Sequence, residues 1–275
     1  MSKPGEKEIM PAALTVAGTD SGGNAGVMAD LRTFRDFSVH GTAAVAALTA
    51  QNTKKVSVVM PVNPSFIKAQ LEAVMEDYTI RAAKTGMLFN TSAIRIVAEV
   101  LASAKFPVVV DPVMVATSGA VLLKNSAIKT LEDCLLPVAY LATPNIPEAE
   151  ILAGMEIKSM EDAAKAAETI AHRFGLAVLV KGGHANENGI AADAKSKRRL
   201  AVDILYHEGA FHFIGAPEIA NPASTHGTGC TLSAAIAACL AKGMSLKDAV
   251  QNAKDYVTRA IRDSYFAGPS AGVLG

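Results

Sequence analysis

Residues Ser159–Val180 read SMEDAAKAAETIAHRFGLAVLV, a helical pattern that runs into an unbroken apolar stretch. Glu161 and Asp162 stand early and Arg173 late, an arrangement that suits the helix dipole, so Ser159–Phe174 is expected to be a helix. Leu176–Val180 offers no polar position to solvent, which is the pattern of a strand covered on both faces. Such a strand needs helices on either side of a mostly parallel sheet. The same alternation extends outward. Upstream, Ala12–Ala17 (AALTVA) reads as a strand that enters a glycine-rich turn and a helix near Ala25–Phe37. Ala43–Leu48, Val56–Met60, Ile80–Lys84 and Pro107–Val110 read as strands, and Leu141-Ala142-Thr143 as the end of another. Thr91–Ala104 reads as a helix, as does Pro64–Glu76 with Phe66, Ile67, Leu71, Val74 and Met75 inward. Downstream, Leu200–Tyr206 and Phe211–Ile214 flank a hairpin turn at Tyr206–Ala210.

Strands alternating with helices of this length imply βαβ units. The expected fold is a three-layer α/β/α arrangement around a mostly parallel sheet, in one domain over residues 1–275. Residues 1–11 would form a flexible tail, and Ala185–Arg199 (ANENGIAADAKSKRR) a polar loop.

Composition narrows the function classes. With 50% hydrophobic and 19% charged residues, the chain can bury a large core and is not disordered. Its 26 basic and 26 acidic side chains sum to zero, which gives no long-range attraction to a nucleic acid. The apolar runs Ala43–Ala50 and Ala234–Ala241 fall short of the ~20 residues of a membrane span. The start, MSKPGEKE, lacks the apolar core of a signal peptide, so a cytoplasmic protein is expected. Cys134, Cys230 and Cys239 have neither disulfide nor zinc spacing, and Cys134 and Cys239 read as core.

In open parallel sheets ligands gather at the carboxyl ends of strands. Four segments there carry unusual chemistry. Gly18-Thr19-Asp20-Ser21-Gly22-Gly23-Asn24-Ala25-Gly26 opens a helix whose free N–H groups attract anions, though it is neither a Walker A loop nor a dinucleotide fingerprint. Thr225–Thr231 (THGTGCT) opens a second, small-residue helix and forms a backbone nest for an oxyanion or phosphate. Cys230 falls in that helix's first turn, where the dipole is expected to lower the thiol pKa. In Thr143–Glu148 (TPNIPE), Glu148 suits Mg²⁺, which takes one or two carboxylates together with substrate phosphates, while Asn145 and Glu148 also suit a helix cap. Lys181, at the end of a buried strand, needs a phosphate or carboxylate to meet its charge. His184, His40, His172, His207 and His212 carry no assignment.

These residues stand in motifs that resemble a known family. AGTDSGGNAGVMADL (Ala17–Leu31), TAQNT (Thr49–Thr53), KTGML (Lys84–Leu88), DPVMVATSG (Asp111–Gly119), TPNIPEAE (Thr143–Glu150), VKGGH (Val180–His184) and HGTGCTLSAA (His226–Ala235) occur in the order of hydroxymethylpyrimidine/phosphohydroxymethylpyrimidine kinases. These form the thiamin-biosynthesis branch of the ribokinase-like superfamily. The resemblance implies ATP-dependent phosphorylation of 4-amino-5-hydroxymethyl-2-methylpyrimidine and then of its monophosphate, with Mg²⁺ as cofactor. It implies a pyrimidine site of Gly18, Asp30, Gln51, Met87 and Val113. The Gln51 amide would meet a ring nitrogen and an exocyclic amine, and Asp30 would accept from the hydroxymethyl or amino group. Glu148 and Asp111 would lie at the metal, Lys181 on the transferring phosphate, and Gly227, Thr228 and Gly229 in an anion hole. Cys230 would be the base. The family pattern also implies a homodimer and a flap over Val113–Leu123, where Thr117 replaces a lysine common in relatives. Two alternatives stay open: a pyridoxal kinase of the same branch, and a non-catalytic protein that binds the vitamer. A sugar kinase fits less well, because Cys230 is not aspartate.

Overall fold

Side chains alternate across each buried strand, and in this protein both sets of positions are apolar. In β1 (Ala12–Gly18) Leu14 and Val16 face one way and Ala13 the other; in β5 (Val108–Val110) Val108 and Val110 oppose Val109. The computed structural model describes residues 9–114, 123, 125–182, 200–269 and 271–275. The remaining strands of the main sheet are β2 (His40–Gln51), β3 (Val56–Pro61), β4 (Ile80–Thr85), β6 (Leu141–Ala142), β7 (Ala177–Val180), β8 (Leu200–His207) and β9 (Ala210–Pro217). They form one nine-stranded sheet in the order β3-β2-β1-β4-β5-β6-β7-β8-β9. The five pairings from β2 through β7 are parallel; β3, β8 and β9 extend the edges antiparallel.

Helices cover both faces, giving the expected three layers. On one side α2 (Pro64–Asp77), α3 (Thr91–Leu101), α4 (Asn125–Thr130), α5 (Ile146–Ala153) and α6 (Met160–Phe174) pack on Leu14, Val16, Val108 and Val110. On the other, α1 (Gly26–Asp36), α7 (Thr228–Ala241) and α8 (Leu246–Arg262) pack on Ala13, Ala82 and Val109. Every α7 residue from Thr231 to Ala241 is buried, as an all-apolar helix must be. Its alanines let the backbone settle close to the sheet. A small antiparallel pair, β10 (Tyr265–Phe266) and β11 (Gly272–Val273), ends the chain. No described helix is long and apolar enough to cross a membrane.

Local chemistry explains the boundaries. Ser159 caps α6 through the Asp162 N–H at 3.1 Å, and Gly175 ends the helix at φ 72°. Glu208 and Gly209, at φ 51° and 75°, make the two-residue turn between β8 and β9. One packing expectation fails: Phe66 is 61% exposed, while Ile67 and Leu71 alone bury fully from α2. Phe66 sits in the first turn, one position off the stripe that meets the sheet. Cys239 is buried as expected, and Cys134 packs partly buried against the larger core. The Ala185–Arg199 loop, His184 and most of the Val113–Leu123 flap lie outside the described residues.

Candidate active site

The carboxyl ends of the parallel strands open on a cavity of about 150 Å³. Gly18 ends β1 and Gln51 ends β2; Met87 and Val113 come just after β4 and β5, and all four line it. Asp111, Glu148 and Lys181, contributed after β5, β6 and β7, form the polar wall. Gly227, Gly229 and Cys230 close it from the start of α7. Segments far apart in sequence thus meet at one sheet edge.

The two glycine-rich loops lock together. Gly227, at φ 85°, approaches Asn24 so closely that a Cβ would stand 1.9 Å from the Asn24 carbonyl oxygen. Gly26, at φ 57°, would bring a Cβ within 2.2 Å of the Gly18 carbonyl oxygen. Neither position admits a side chain. The helix starts are thereby held side by side, with first-turn N–H groups that lack intrahelical acceptors. Asp20 organises the first loop by accepting the N–H groups of Gly22, Asn24 and Ala25 at 2.8, 3.1 and 3.0 Å. Burial alone would raise its pKa, but His226 and these N–H donors outweigh it, and the carboxyl is lowered. His226 Nε2 lies 3.6 Å from Asp20 Oδ2.

Charge is concentrated on the polar wall. Lys181 Nζ lies 3.0 Å from Asp111 Oδ1, and Ser233 donates to Asp111 Oδ2 at 3.3 Å. Burial would lower the Lys181 pKa, yet Asp111 and Glu148 raise it, so the ammonium stays charged. Glu148 is both wall and cap. Its Oε2 accepts the Asn145 N–H at 2.9 Å, its Oε1 accepts the Met114 N–H at 3.0 Å, and Asn145 Oδ1 returns a bond to the Glu148 N–H at 2.9 Å. Burial pushes the Glu148 carboxyl up, Lys181 opposes this, and Asp111 adds to it. Two carboxylates facing one cavity, each with lone pairs left over, form a hard-oxygen set of the kind Mg²⁺ accepts. Val113 adds strain at φ 33°, rare for a β-branched residue and costing about 1–3 kcal/mol.

Three expectations need correction. Asp30 does not face the cavity. It is fully buried behind it, with Lys84 Nζ at 2.8 Å from Oδ1 and the Thr15 hydroxyl donating to Oδ2 at 2.6 Å. Its lone pairs serve this internal pair. Thr228 gives both its N–H and its hydroxyl to the Thr225 carbonyl, at 3.4 and 3.0 Å, and Gly227 and Gly229 line the cavity while Thr228 does not. Cys230 does fall in the first turn of α7, but its thiol pKa is raised. Burial is the largest cause; Lys84 draws the pKa down, Asp30 and Asp111 push it up, and the Gly26 N–H draws it down. Desolvation of the thiolate outweighs both Lys84 and the Gly26 N–H. Sequence reasoning also passed over Asp20, Thr49 and His226, which line the cavity, and Asn145, expected as a helix cap, lines it too. An aspartate two residues before a Gly-Gly pair was a signal for the first, because Asp side chains commonly fold back on such backbone.

Comparison with known proteins places the chain in a family. The family model described as phosphomethylpyrimidine kinase matches residues 20–274. A hydroxymethylpyrimidine/phosphomethylpyrimidine kinase from Synechococcus elongatus is 45% identical over 266 residues, covering 97% of each chain. Among solved structures, a phosphomethylpyrimidine kinase from Clostridium difficile aligns with a TM-score of 0.78 at 40% identity, over 91% of this chain and 99% of that one. An ADP complex of Bacillus subtilis pyridoxal kinase aligns at 0.84 and 35% identity, over 97% of both. With its three layers, its mostly parallel sheet and its strand-end cavity, the chain belongs to the phosphomethylpyrimidine kinase family of the ribokinase-like fold.

Proposed function

We propose that the chain moves the γ-phosphoryl group of ATP onto the hydroxymethyl oxygen of 4-amino-5-hydroxymethyl-2-methylpyrimidine, and a second one onto the monophosphate. One observation carries this reading: Gln51, Glu148, Lys181 and Cys230, from four distant stretches, line the same cavity. The Gln51 amide offers donors and an acceptor to the edge of an aminopyrimidine, and Met87 packs softly against its ring. The hydroxymethyl O–H bond breaks as its proton passes to the Cys230 thiolate. The oxygen then bonds to the γ-phosphorus while the bond to the β–γ bridging oxygen breaks, and ADP leaves. A raised thiol pKa makes the thiolate scarcer but a stronger proton acceptor. Lys181 and the Gly227 and Gly229 N–H groups stabilise charge on the transferring group. Asp111 and Glu148 would hold Mg²⁺, which supplies charge neutralisation on the phosphates when bound. In the second transfer the acceptor is a phosphate oxygen.

The chain works as one kinase domain and as a homodimer. Leu48, Val58 and Met60, exposed at 42, 62 and 56% on the β2–β3 edge, support a covered face there. Light scattering tests the dimer. The likeness to pyridoxal kinases favours pyridoxal as a second substrate. The deciding experiment is ADP release from MgATP with hydroxymethylpyrimidine, its monophosphate and pyridoxal in parallel. A higher kcat/KM for the pyrimidine supports the reading. A higher value for pyridoxal replaces it, and no ADP from any of the three leaves a non-catalytic binding protein.

A further inference from the structure

Lys84 and Asp30 form an ion pair with no solvent exposure on either side chain, directly behind the candidate active site. Two buried charges gain little net stability over apolar side chains of the same size. Their placement is specific nonetheless. Thr15 and Lys84 are register partners on β1 and β4, so their side chains leave the same sheet face, and Asp30 bonds to both. Asp30 stands one turn of α1 beyond Gly26, on the same face of that helix. Gly227 seats on the Asn24 carbonyl just ahead of α1, so the first turn of α7, which carries Cys230, lies beside the first turn of α1, and Gly26 and Cys230 line the same cavity. The thiol and the ammonium therefore stand against neighbouring turns of α1, with α7 also packed on β1 and β4. Lys84 also lies close to the backbone that leads to Met87: a Cβ on Gly86 would stand 3.0 Å from its Nζ.

We infer that Lys84, locked in place by Asp30 and Thr15, is a positioning residue for phosphoryl transfer: a fixed buried cation that steadies the thiolate form of Cys230. The inference rests on Cys230 being the proton acceptor. The charged groups facing the sulfur are Asp30 from α1, Lys84 from β4, Asp111 from β5 and Lys181 from β7. Among the influences on the thiol, Lys84 is the strongest that opposes burial. Lys181 is already held by Asp111 at the cavity wall, whereas Lys84 approaches from behind, where substrate phosphates do not reach.

Two variants test this: Lys84→Met, and the double variant Asp30→Asn/Lys84→Met, which removes both charges and leaves no orphan in the core. Each is assayed for kcat and KM, for thermal melting, and for the pH dependence of Cys230 alkylation by iodoacetamide, read by peptide mass mapping in metal-free protein. The expected result for Lys84→Met is a Cys230 alkylation midpoint moved to higher pH, a kcat at neutral pH about tenfold lower, and nearly unchanged KM for the pyrimidine. The double variant should move the same way by less, because the opposing push of Asp30 is lost with it. An unmoved midpoint in folded Lys84→Met, or, where that variant does not fold, a double-variant midpoint that is unmoved or lower, overturns the inference. Failure of the underlying base reading looks different: Cys230→Ala would then keep wild-type kcat, while the alkylation midpoint still reports on Lys84.

Discussion

Lys181 Nζ reaches Asp111 Oδ1 at 3.0 Å across the width of β6, the strand that separates theirs. The pair makes up two of the three side chains of the cavity's polar wall, and breaking it has two consequences. Lys181→Met strands a carboxylate that is 3% exposed, which costs about 3–5 kcal/mol of stability when a buried pair loses one member. It also removes a cation from the transferring phosphate, so kcat should fall by about 10²-fold or more. Denaturant melts and steady-state kinetics on the same preparation read both effects. Near-normal kcat would remove Lys181 from the mechanism.

Gly227→Ala should be far more damaging than Gly23→Ala, although both glycines have φ near 80°. A Cβ at Gly23 meets nothing within 4 Å, whereas at Gly227 it meets the Asn24 carbonyl at 1.9 Å. The expected cost at Gly23 is about 1 kcal/mol of backbone strain with activity kept. At Gly227 the start of α7 must move, and phosphoryl transfer should drop about a hundredfold, since one displaced ångström has that scale of effect. Equal activity in the two variants would contradict the interlocked loops.

Gln51→Ala should raise KM for the pyrimidine about tenfold or more while KM for ATP stays level, because only the pyrimidine loses paired donors and acceptors. The Ser21 hydroxyl donates to the Gln51 carbonyl at 2.7 Å and accepts its N–H at 2.8 Å, and both bonds are independent of the side chain. The loop therefore survives the substitution. Substrate titrations of initial rate at saturating ATP make the comparison.

Alkaline stability should report on Cys239. Burial pushes this thiol from 9.0 up to about 11, with Lys242 opposing. A thiol whose folded pKa is raised contributes stability that is complete below pH 9 and lost as pH rises towards 11. The loss is about 3 kcal/mol once both states have ionised. Cys239→Ala should flatten the fall in melting temperature between these pH values; an unchanged slope would assign the alkaline loss elsewhere.

Much of this architecture was legible because strands such as Leu176–Val180 advertise burial on both faces and because caps such as Ser159 mark helix starts. The strand-end glycines, Lys181 and Glu148 were legible for a related reason: polar chemistry following an apolar strand has to go somewhere. Cys230 was legible because a Gly-Thr-Gly loop opens the small-residue helix that carries it. Phe66 was misread because apolar spacing does not reveal where a helix's first turn leaves the sheet. Asp30 was misread because its partners, Thr15 and Lys84, become its neighbours only through strand register. Lys84 ends an apolar strand just as Lys181 does, so the logic that singled out one applied to the other. The raised thiol of Cys230 depends on the depth of water exclusion, which a helix-start position does not encode.

The seating of Gly227 on the Asn24 carbonyl has a consequence for biosynthesis. A growing polypeptide emerging from the ribosome cannot form the proposed anion-binding nest until the segment leading into α7 has cleared the exit tunnel and docked on the much earlier turn at Asn24. Until then the nascent chain has strands and helices but lacks the α7 side of the cavity, so phosphoryl transfer of the proposed kind waits for that docking.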